Sequence, residues 1–420
     1  MTELLLFFYH FLGMMFLPLL IVFAGLHGLI RPKKMWGYLE KLSLILPQEK
    51  PKTKTRVWLH AVSVGEVLSC ESLIGLLRQN QISVWLSTGT EGGFEMAKKR
   101  YEGITCFFFP FDFRFAVARF LKRIKPDVIL LCEMEIWPSF VWNVHRRKIP
   151  LYLVSGRMVE KDFRGYRRFK WFFSPVFFMF SGLFMQNEIY RRRMESICRH
   201  PRLKTLGSLK FDVDFNLGKS TGIKELMPEG FILCAVSTHR GDERLIIGAF
   251  QGLLVEFPQL KLVLVPRHPH RSSEILRILE DQNLTYTLRS EGNRCATSVF
   301  LVDTIGEMTQ IYEKCEIVIM GGSFSRKNGG HNIIEPALHR RCILCGNHME
   351  NFEDIYALFR QKHALVPTSR ETLLKDLKTH IMDRSKAIRV GEKAFSIIQA
   401  NRGVSQRIHA EIFSRIPPGS

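Results

Sequence analysis

Short apolar runs rich in β-branched residues alternate with longer amphipathic stretches along this chain, and that alternation admits few folds. From residue 55 the apolar runs fall at 57–62, 82–87, 106–109, 128–132, 151–154 and 182–185, each followed by a stretch of helical periodicity. A short, continuously apolar run reads as a strand buried on both faces, and such strands alternating with helices build a parallel sheet. A polar stretch at 218–222, Gly-Lys-Ser-Thr-Gly, interrupts the pattern, which restarts with runs at 231–236, 261–265 and 317–320. With 420 residues the chain is too long for one ordinary core. The expected fold is therefore α/β, with two Rossmann-like domains facing across a cleft, at 35–217 and 223–400. A final helical segment, 401–420, is expected to cross back to the first domain.

In parallel sheets ligands bind beyond the carboxyl ends of the strands, so the loops there hold the candidate residues. After the first strand comes Ser63-Val64-Gly65-Glu66. Glu66 either compensates the helix dipole or serves as a general base. After the fourth comes Glu133-Met134-Glu135-Ile136-Trp137-Pro138, two carboxylates before a proline-started helix; one is expected to cap that helix and the other to face the site. In the second half, Ser237 and Thr238 offer hydroxyls at a strand end, and Arg267, His268 and Pro269 follow the next strand. The stretch Gly321 to Pro336 contains Gly321-Gly322 and Gly329-Gly330, then His331, Asn332 and Glu335. Strand, glycine loop and helix start together make a phosphate cradle, with Lys327, Arg326 or His331 adding charge and Glu335 accepting ribose hydroxyls. A loop that merely turns the chain is the plainer alternative. The three loops are expected to converge on one pocket.

The formal net charge of +20 calls for an anionic partner: nucleic acid, a membrane surface or a phosphorylated substrate. No helix-turn-helix, zinc-finger or RNP pattern favours nucleic acid. Residues 4–30 carry no Asp, Glu, Lys or Arg, and Arg31-Pro32-Lys33-Lys34 follows. Residues 1–34 thus read as an N-terminal membrane-anchor helix with the remainder cytoplasmic, although Pro18, His10 and His27 interrupt a clean span. Arg157, Arg164, Arg167, Arg168 and Lys170 run into Trp171-Phe172-Phe173, a basic aromatic surface suited to anionic lipid or, alternatively, a solvated face over a Phe-rich core. The nine cysteines are scattered, which suits a reducing compartment. Cys342 and Cys345 have CxxC spacing but flank Ile343 and Leu344 with no second pair, so they are expected in a core strand rather than on zinc. No metal-ligand spacing stands out, and no metal or cofactor is expected.

Two facing α/β domains are the glycosyltransferase B architecture. Within it, His60-Ala61-Val62-Ser63-Val64-Gly65-Glu66, Glu133-Met134-Glu135-Ile136-Trp137-Pro138, Ser237-Thr238-His239, Pro266-Arg267-His268-Pro269 and Gly329-Gly330-His331-Asn332 with Glu335-Pro336 resemble, in order and over nearly the whole chain, the 3-deoxy-D-manno-octulosonic acid (Kdo) transferases of lipopolysaccharide synthesis. The resemblance implies inverting transfer of Kdo from CMP-Kdo, the donor substrate, to a phosphorylated lipid A precursor at the cell inner membrane. It makes Glu66 the general base, puts Glu133 in the acceptor site, and puts Arg267, His268, Pro269, Asn332 and Glu335 where the family holds CMP. The chain departs from the family at Ser155-Gly156-Arg157, which keeps only the Arg of a usual Asn-Ala-Arg run, and at His270, where a Glu is usual. A sugar-nucleotide epimerase of the same architecture has no need of the apolar N-terminal run. A non-catalytic, basic, membrane-associated anion-binding protein has no need of carboxylates at strand ends. No oligomeric state follows from the sequence.

Overall fold

The structure is a computed structural model describing residues 2–30, 32–48, 55–213 and 221–414, without the side chains of 2–7, 20, 23, 24, 27–30 and 32–34. Most of the polar stretch expected as a hinge at 218–222 lies outside the described residues. The chain divides into two compact units, Met1–Val213 with Gly403–Ser420, and Asp214–Arg402.

The first unit is built on seven parallel strands: β1 (Arg56–His60), β2 (Ser83–Thr88), β3 (Thr105–Phe108), β4 (Val128–Cys132), β5 (Leu151–Gly156), β6 (Gly182–Met185) and β7 (Leu203–Thr205), in the order β3-β2-β1-β4-β5-β6-β7. Successive side chains of a strand point to opposite faces. Trp58, Ile129 and Leu131 accordingly enter one core, and Val57, Leu59, Val128 and Leu130 the other. Burial on both faces is why these strands are apolar throughout. β1 pairs with β2 on one side and β4 on the other, with Val57 opposite Val84 and Val128. Chain order therefore reverses between β1 and β4, which opens a crevice at their carboxyl ends.

The second unit repeats the plan with β8 (Ile232–Thr238), β9 (Lys261–Pro266), β10 (Tyr286–Leu288), β11 (Val299–Leu301), β12 (Ile317–Met320), β13 (Cys342–Cys345) and β14 (Val366–Pro367), ordered β10-β11-β9-β8-β12-β13-β14. Its reversal lies between β8 and β12. Cys342 and Cys345 are buried within β13 beside Ile343 and Leu344.

The helix Val404–Phe413 belongs to the first unit. Its Val404, Ile408 and Ile412 join the core with Leu73 and Leu77. The Asp212 carboxylate fastens its start by accepting the backbone N–H groups of Gly403 (2.8 Å), Val404 and Ser405.

At the other terminus one helix covers Thr2–Ile30 and passes Pro18 without a break. Among the described residues no helix is long and apolar enough to cross a membrane, so these residues do not bear out a spanning anchor. The described part of the helix instead lays one side on the first unit. Tyr9 Oη donates to Asp112, the His10 ring meets Trp142, and Gly13 lies against Phe113. Phe8, Phe11, Leu12, Met15, Phe16 and Leu19 remain more than half exposed.

Candidate active site

In the first unit the candidate groups grow from the carboxyl end of β1. The helix Val64–Ser69 starts at Ser63, whose Oγ accepts from Glu66 N (3.4 Å) and donates to Glu66 Oε1 (2.9 Å), while Glu66 Oε2 accepts from Val62 N (2.9 Å). Glu66 is thus bound into the helix start, its side chain reaching back to the N-cap hydroxyl and to the N–H one residue before it. Two hydrogen bonds would ordinarily hold a carboxyl acidic. Burial, aided by the neighbouring charge of Glu133, outweighs them and lifts its pKa to about 7. Glu66 therefore exchanges its proton near neutrality.

Glu133 leaves β4 with φ 55°, a left-handed conformation that costs a residue with a Cβ about 1 kcal/mol. Its Oε1 lies 3.0 Å from Lys210 Nζ. Lys210, on the short turn Leu209–Asp212, was not picked from the sequence, where one lysine in an apolar stretch carries no signal. Glu135 accepts from Trp137 Nε1 (3.0 Å), and burial raises its carboxyl pKa. Neither carboxylate caps the helix Pro138–Arg146, contrary to expectation. Asp112 does so from the loop after β3, accepting from Ser139 N (2.9 Å) and Phe140 N (2.7 Å).

Arg157 follows β5 and is half-buried. Arg164, Arg167 and Arg168 lie on the helix Glu160–Arg168, none of whose residues is buried, and engage Glu160, Phe163 and Phe169 rather than the site carboxylates.

In the second unit the loops after β8 and β12 meet at the reversal point. Ser237 has φ 54°, and Gly321 is so close that a Cβ there would lie 2.5 Å from Ser237 O and from Thr238 Cα. The two loops share the buried Asp242, whose Oδ2 accepts from His239 N (2.9 Å) and Gly322 N (2.7 Å). His239 Nε2 and His331 Nε2 are 2.7 Å apart with their rings parallel, so one ring donates to the other and the pair shares a hydrogen. Burial first, then His239, Arg267 and His268, pushes the His331 pKa down to about 4. His331 is thus neutral at physiological pH, which corrects the expectation that it adds charge.

Arg267 is tied to β8 through its backbone N–H to Thr238 O (3.0 Å), and its exposed guanidinium has no ion-pair partner among the described residues. The His268 ring lies 5.8 Å from His239, and Pro269 begins the turn Pro269–Arg271. Thr238 Oγ1 is buried without a hydrogen-bond partner. Gly329 and Gly330 have φ of 67° and 70°, with Asn351 and Met349 packed where a Cβ would project. Asn332 Oδ1 accepts from Ile334 N (3.0 Å) at the start of the helix Ile334–Leu338. On that helix Glu335 accepts no hydrogen bond among the described residues, and burial lifts its pKa to about 7. Arg267, the Thr238 hydroxyl and Glu335 are three polar side chains of the second unit with no hydrogen-bond or ion-pair partner among the described residues. Together they suit a ligand with both an anionic group and hydroxyls.

Two parallel α/β units, each with its candidate groups at the reversal point, are the fold of glycosyltransferase B-like proteins. Solved structures with this fold include a UDP-GlcNAc 2-epimerase from Neisseria meningitidis (TM-score 0.60, 12% identity, 85% of this chain and 99% of that one). A glycosyltransferase from Rickettsia africae matches similarly (TM-score 0.60, 11% identity, 88% and 100%). At these identities the likeness is one of fold alone. Sequence similarity is more specific. Residues 37–213 match the family model of the 3-deoxy-D-manno-octulosonic-acid transferases (kdotransferases), and the 3-deoxy-D-manno-octulosonic acid transferase of Haemophilus influenzae is 27% identical over 421 residues, covering 96% of each chain. By sequence the chain is thus similar to the Kdo transferases, which are glycosyltransferases.

Proposed function

We propose that the protein moves Kdo from CMP-Kdo to a hydroxyl of a phosphorylated lipid A precursor (lipid IVA), with inversion at the anomeric carbon. The observation that carries this reading is Glu66, a carboxyl at a strand end of the Kdo-transferase region whose pKa of about 7 suits proton abstraction from a hydroxyl. As Glu66 takes the hydroxyl proton, the acceptor oxygen bonds to the anomeric carbon and the bond to the CMP phosphate breaks. The departing phosphate needs positive charge and donors, which the Arg267 guanidinium, the Thr238 hydroxyl and Ser237 supply in this reading, while Glu335 and Asn332 take the nucleoside. Glu133, held by Lys210, sits on the acceptor side and keeps the Glu66 proton affinity high. Incubation with CMP-Kdo and a tetraacyl disaccharide bisphosphate, read by mass spectrometry, should show addition of Kdo. No product, with UDP-GlcNAc epimerised instead, sinks the reading in favour of the epimerase.

Arg267→Ala and Glu335→Ala should each weaken CMP affinity about tenfold, the scale of one charge-assisted hydrogen bond. Unchanged calorimetric affinity in both variants would rule out this donor site.

We further place the enzyme on the cytoplasmic surface of the inner membrane, resting in the interface. Tyr9 and Phe172 have ring centroids 6.1 Å apart, so the docked side of the N-terminal helix packs against the helix Lys170–Phe178, where Trp171 and Phe178 are exposed like the N-terminal helix's own open side. Arg164, Arg167 and Arg168 add positive charge from the preceding helix. Surface electrostatics of this kind contribute about 1 kcal/mol per basic residue and fade with salt. Deleting residues 1–34 should leave salt-sensitive binding to anionic vesicles. Replacing Arg164, Arg167 and Arg168 by Ser in that form should then raise KM for the lipid acceptor and leave KM for CMP-Kdo alone. A truncated protein that ignores anionic vesicles at low salt makes the cluster a solvated face.

A further inference from the structure

The helix Pro138–Arg146 begins without a cap of its own, since Trp137 stands at the N-cap and Pro138 follows. The two N–H groups at its start go instead to Asp112, one to each carboxylate oxygen, at 2.7 and 2.9 Å. The residues immediately before that start are Glu133 to Trp137, the segment that leaves β4 in a left-handed turn at Glu133 and carries Glu135. A helix start held from elsewhere fixes the end of this loop.

Asp112 is itself held by Tyr9, whose hydroxyl donates to Oδ2 at 2.9 Å from the N-terminal helix. The seat around this bond is open. A cavity of about 400 Å³ separates the helix from the loop after β3, lined by Tyr9, Gly13, Met14, Phe113, Phe115 and Ala118. The Tyr9–Asp112 bond thus joins the helix to the residue that caps Pro138–Arg146, beside the contact of Gly13 with Phe113.

We propose that Tyr9 and Asp112 are positioning residues that couple the seating of the N-terminal helix to the geometry of the Glu133–Trp137 loop, so that acceptor turnover depends on that helix being docked. The proposal rests on the reading of this loop as the acceptor side. A seated helix keeps the Asp112 carboxylate aimed at Ser139 N and Phe140 N, the helix start stays closed, and Glu133 stays at Lys210. An unseated helix frees the cap, the loop frays, and the acceptor hydroxyl is held less well against Glu66.

Tyr9→Phe in the full chain, assayed on vesicles containing the lipid acceptor, removes one hydroxyl and little packing. Expected are a kcat about tenfold lower, an unchanged KM for CMP-Kdo, an unchanged thermal midpoint, and faster amide hydrogen exchange at Ser139 and Phe140. Asp112→Asn, which turns an N–H2 toward backbone donors, should show the fall in kcat and the faster exchange more strongly, with KM for CMP-Kdo unchanged and a lower thermal midpoint. A purely structural cap would move the midpoint and both KM values together. The proposal is overturned if kcat in Tyr9→Phe stays within about twofold of wild type, or if exchange at Ser139 and Phe140 does not change. The exchange measurement needs no turnover. If the wild type transfers no Kdo, the functional reading fails while the coupling of helix to loop is still decided.

Discussion

Glu66→Gln lowers turnover about a hundredfold or more, the usual scale for losing a general base, and leaves CMP affinity and folding nearly unchanged. The fold tolerates it because glutamine can keep both hydrogen bonds: its carbonyl oxygen accepts from Val62 N, and its amide donates to the Ser63 hydroxyl, which rotates to receive it. What it cannot do is accept a proton at neutral pH. The wild-type rate should therefore rise with pH through about 7, the pKa to which burial and Glu133 lift the carboxyl, and that limb should be missing from the residual activity of the variant. Stability carries the opposite sign. A carboxyl whose folded pKa lies above its ordinary 4.5 binds more protons folded than unfolded between 4.5 and about 7, so this group's contribution to stability falls as pH rises through that window. The variant should lose less stability than the wild type between those limits. Turnover within about threefold of wild type removes Glu66 from the role of base.

The second large effect is expected at Gly321. Its Cβ position lies 2.5 Å from Ser237 O and Thr238 Cα, and both are backbone atoms. No side-chain rotation relieves that contact, and Ser237 already sits at φ 54° with little room to yield. Gly321→Ala should force β12 away from the end of β8, cost about 3 kcal/mol of stability and abolish measurable CMP binding. Gly248→Ala, on the helix Asp242–Leu254 with nothing within 4 Å of the new methyl, is the matched control; it should be neutral or stabilising by up to about 1 kcal/mol. Equal behaviour of the two variants in denaturant unfolding and CMP calorimetry would contradict the crowding argument.

The sheets were legible because burial on both faces leaves a strand no choice but to be apolar throughout. Val128 to Cys132 and Ile317 to Met320 announce themselves in this way. β7, β10, β11 and β14 were not legible: Leu203-Lys204-Thr205, Tyr286-Thr287-Leu288 and Val366-Pro367 lie at sheet edges, and the buried Val299-Phe300-Leu301 is only three residues long. Glu66 and the glycine loop could be named from residue type and position after a strand. The links that organise them could not. Asp242 joins His239 to Gly322 because β8 lies beside β12, a consequence of strand order that no local spacing encodes. Asp112 caps a helix from 27 residues away, where motif reasoning looks only a few positions back. The same holds for the N-terminal run. Its lack of charge is plain in the sequence, whereas the division of its described part into a side touching Trp142, Phe113 and Phe172 and a side left open depends on the packing of the first unit.

The hydrogen bonds from Asp212 to Gly403, Val404 and Ser405 have a consequence for how the protein is made. The first unit is completed only after the second has been synthesised, because one face of its sheet is closed by Val404, Ile408 and Ile412, which follow the second unit in the chain. Asp214–Arg402 is continuous in sequence and can fold as soon as it is out, as domains made in one piece do. Until the helix Val404–Phe413 has been made, the first unit must wait with Leu73 and Leu77 uncovered.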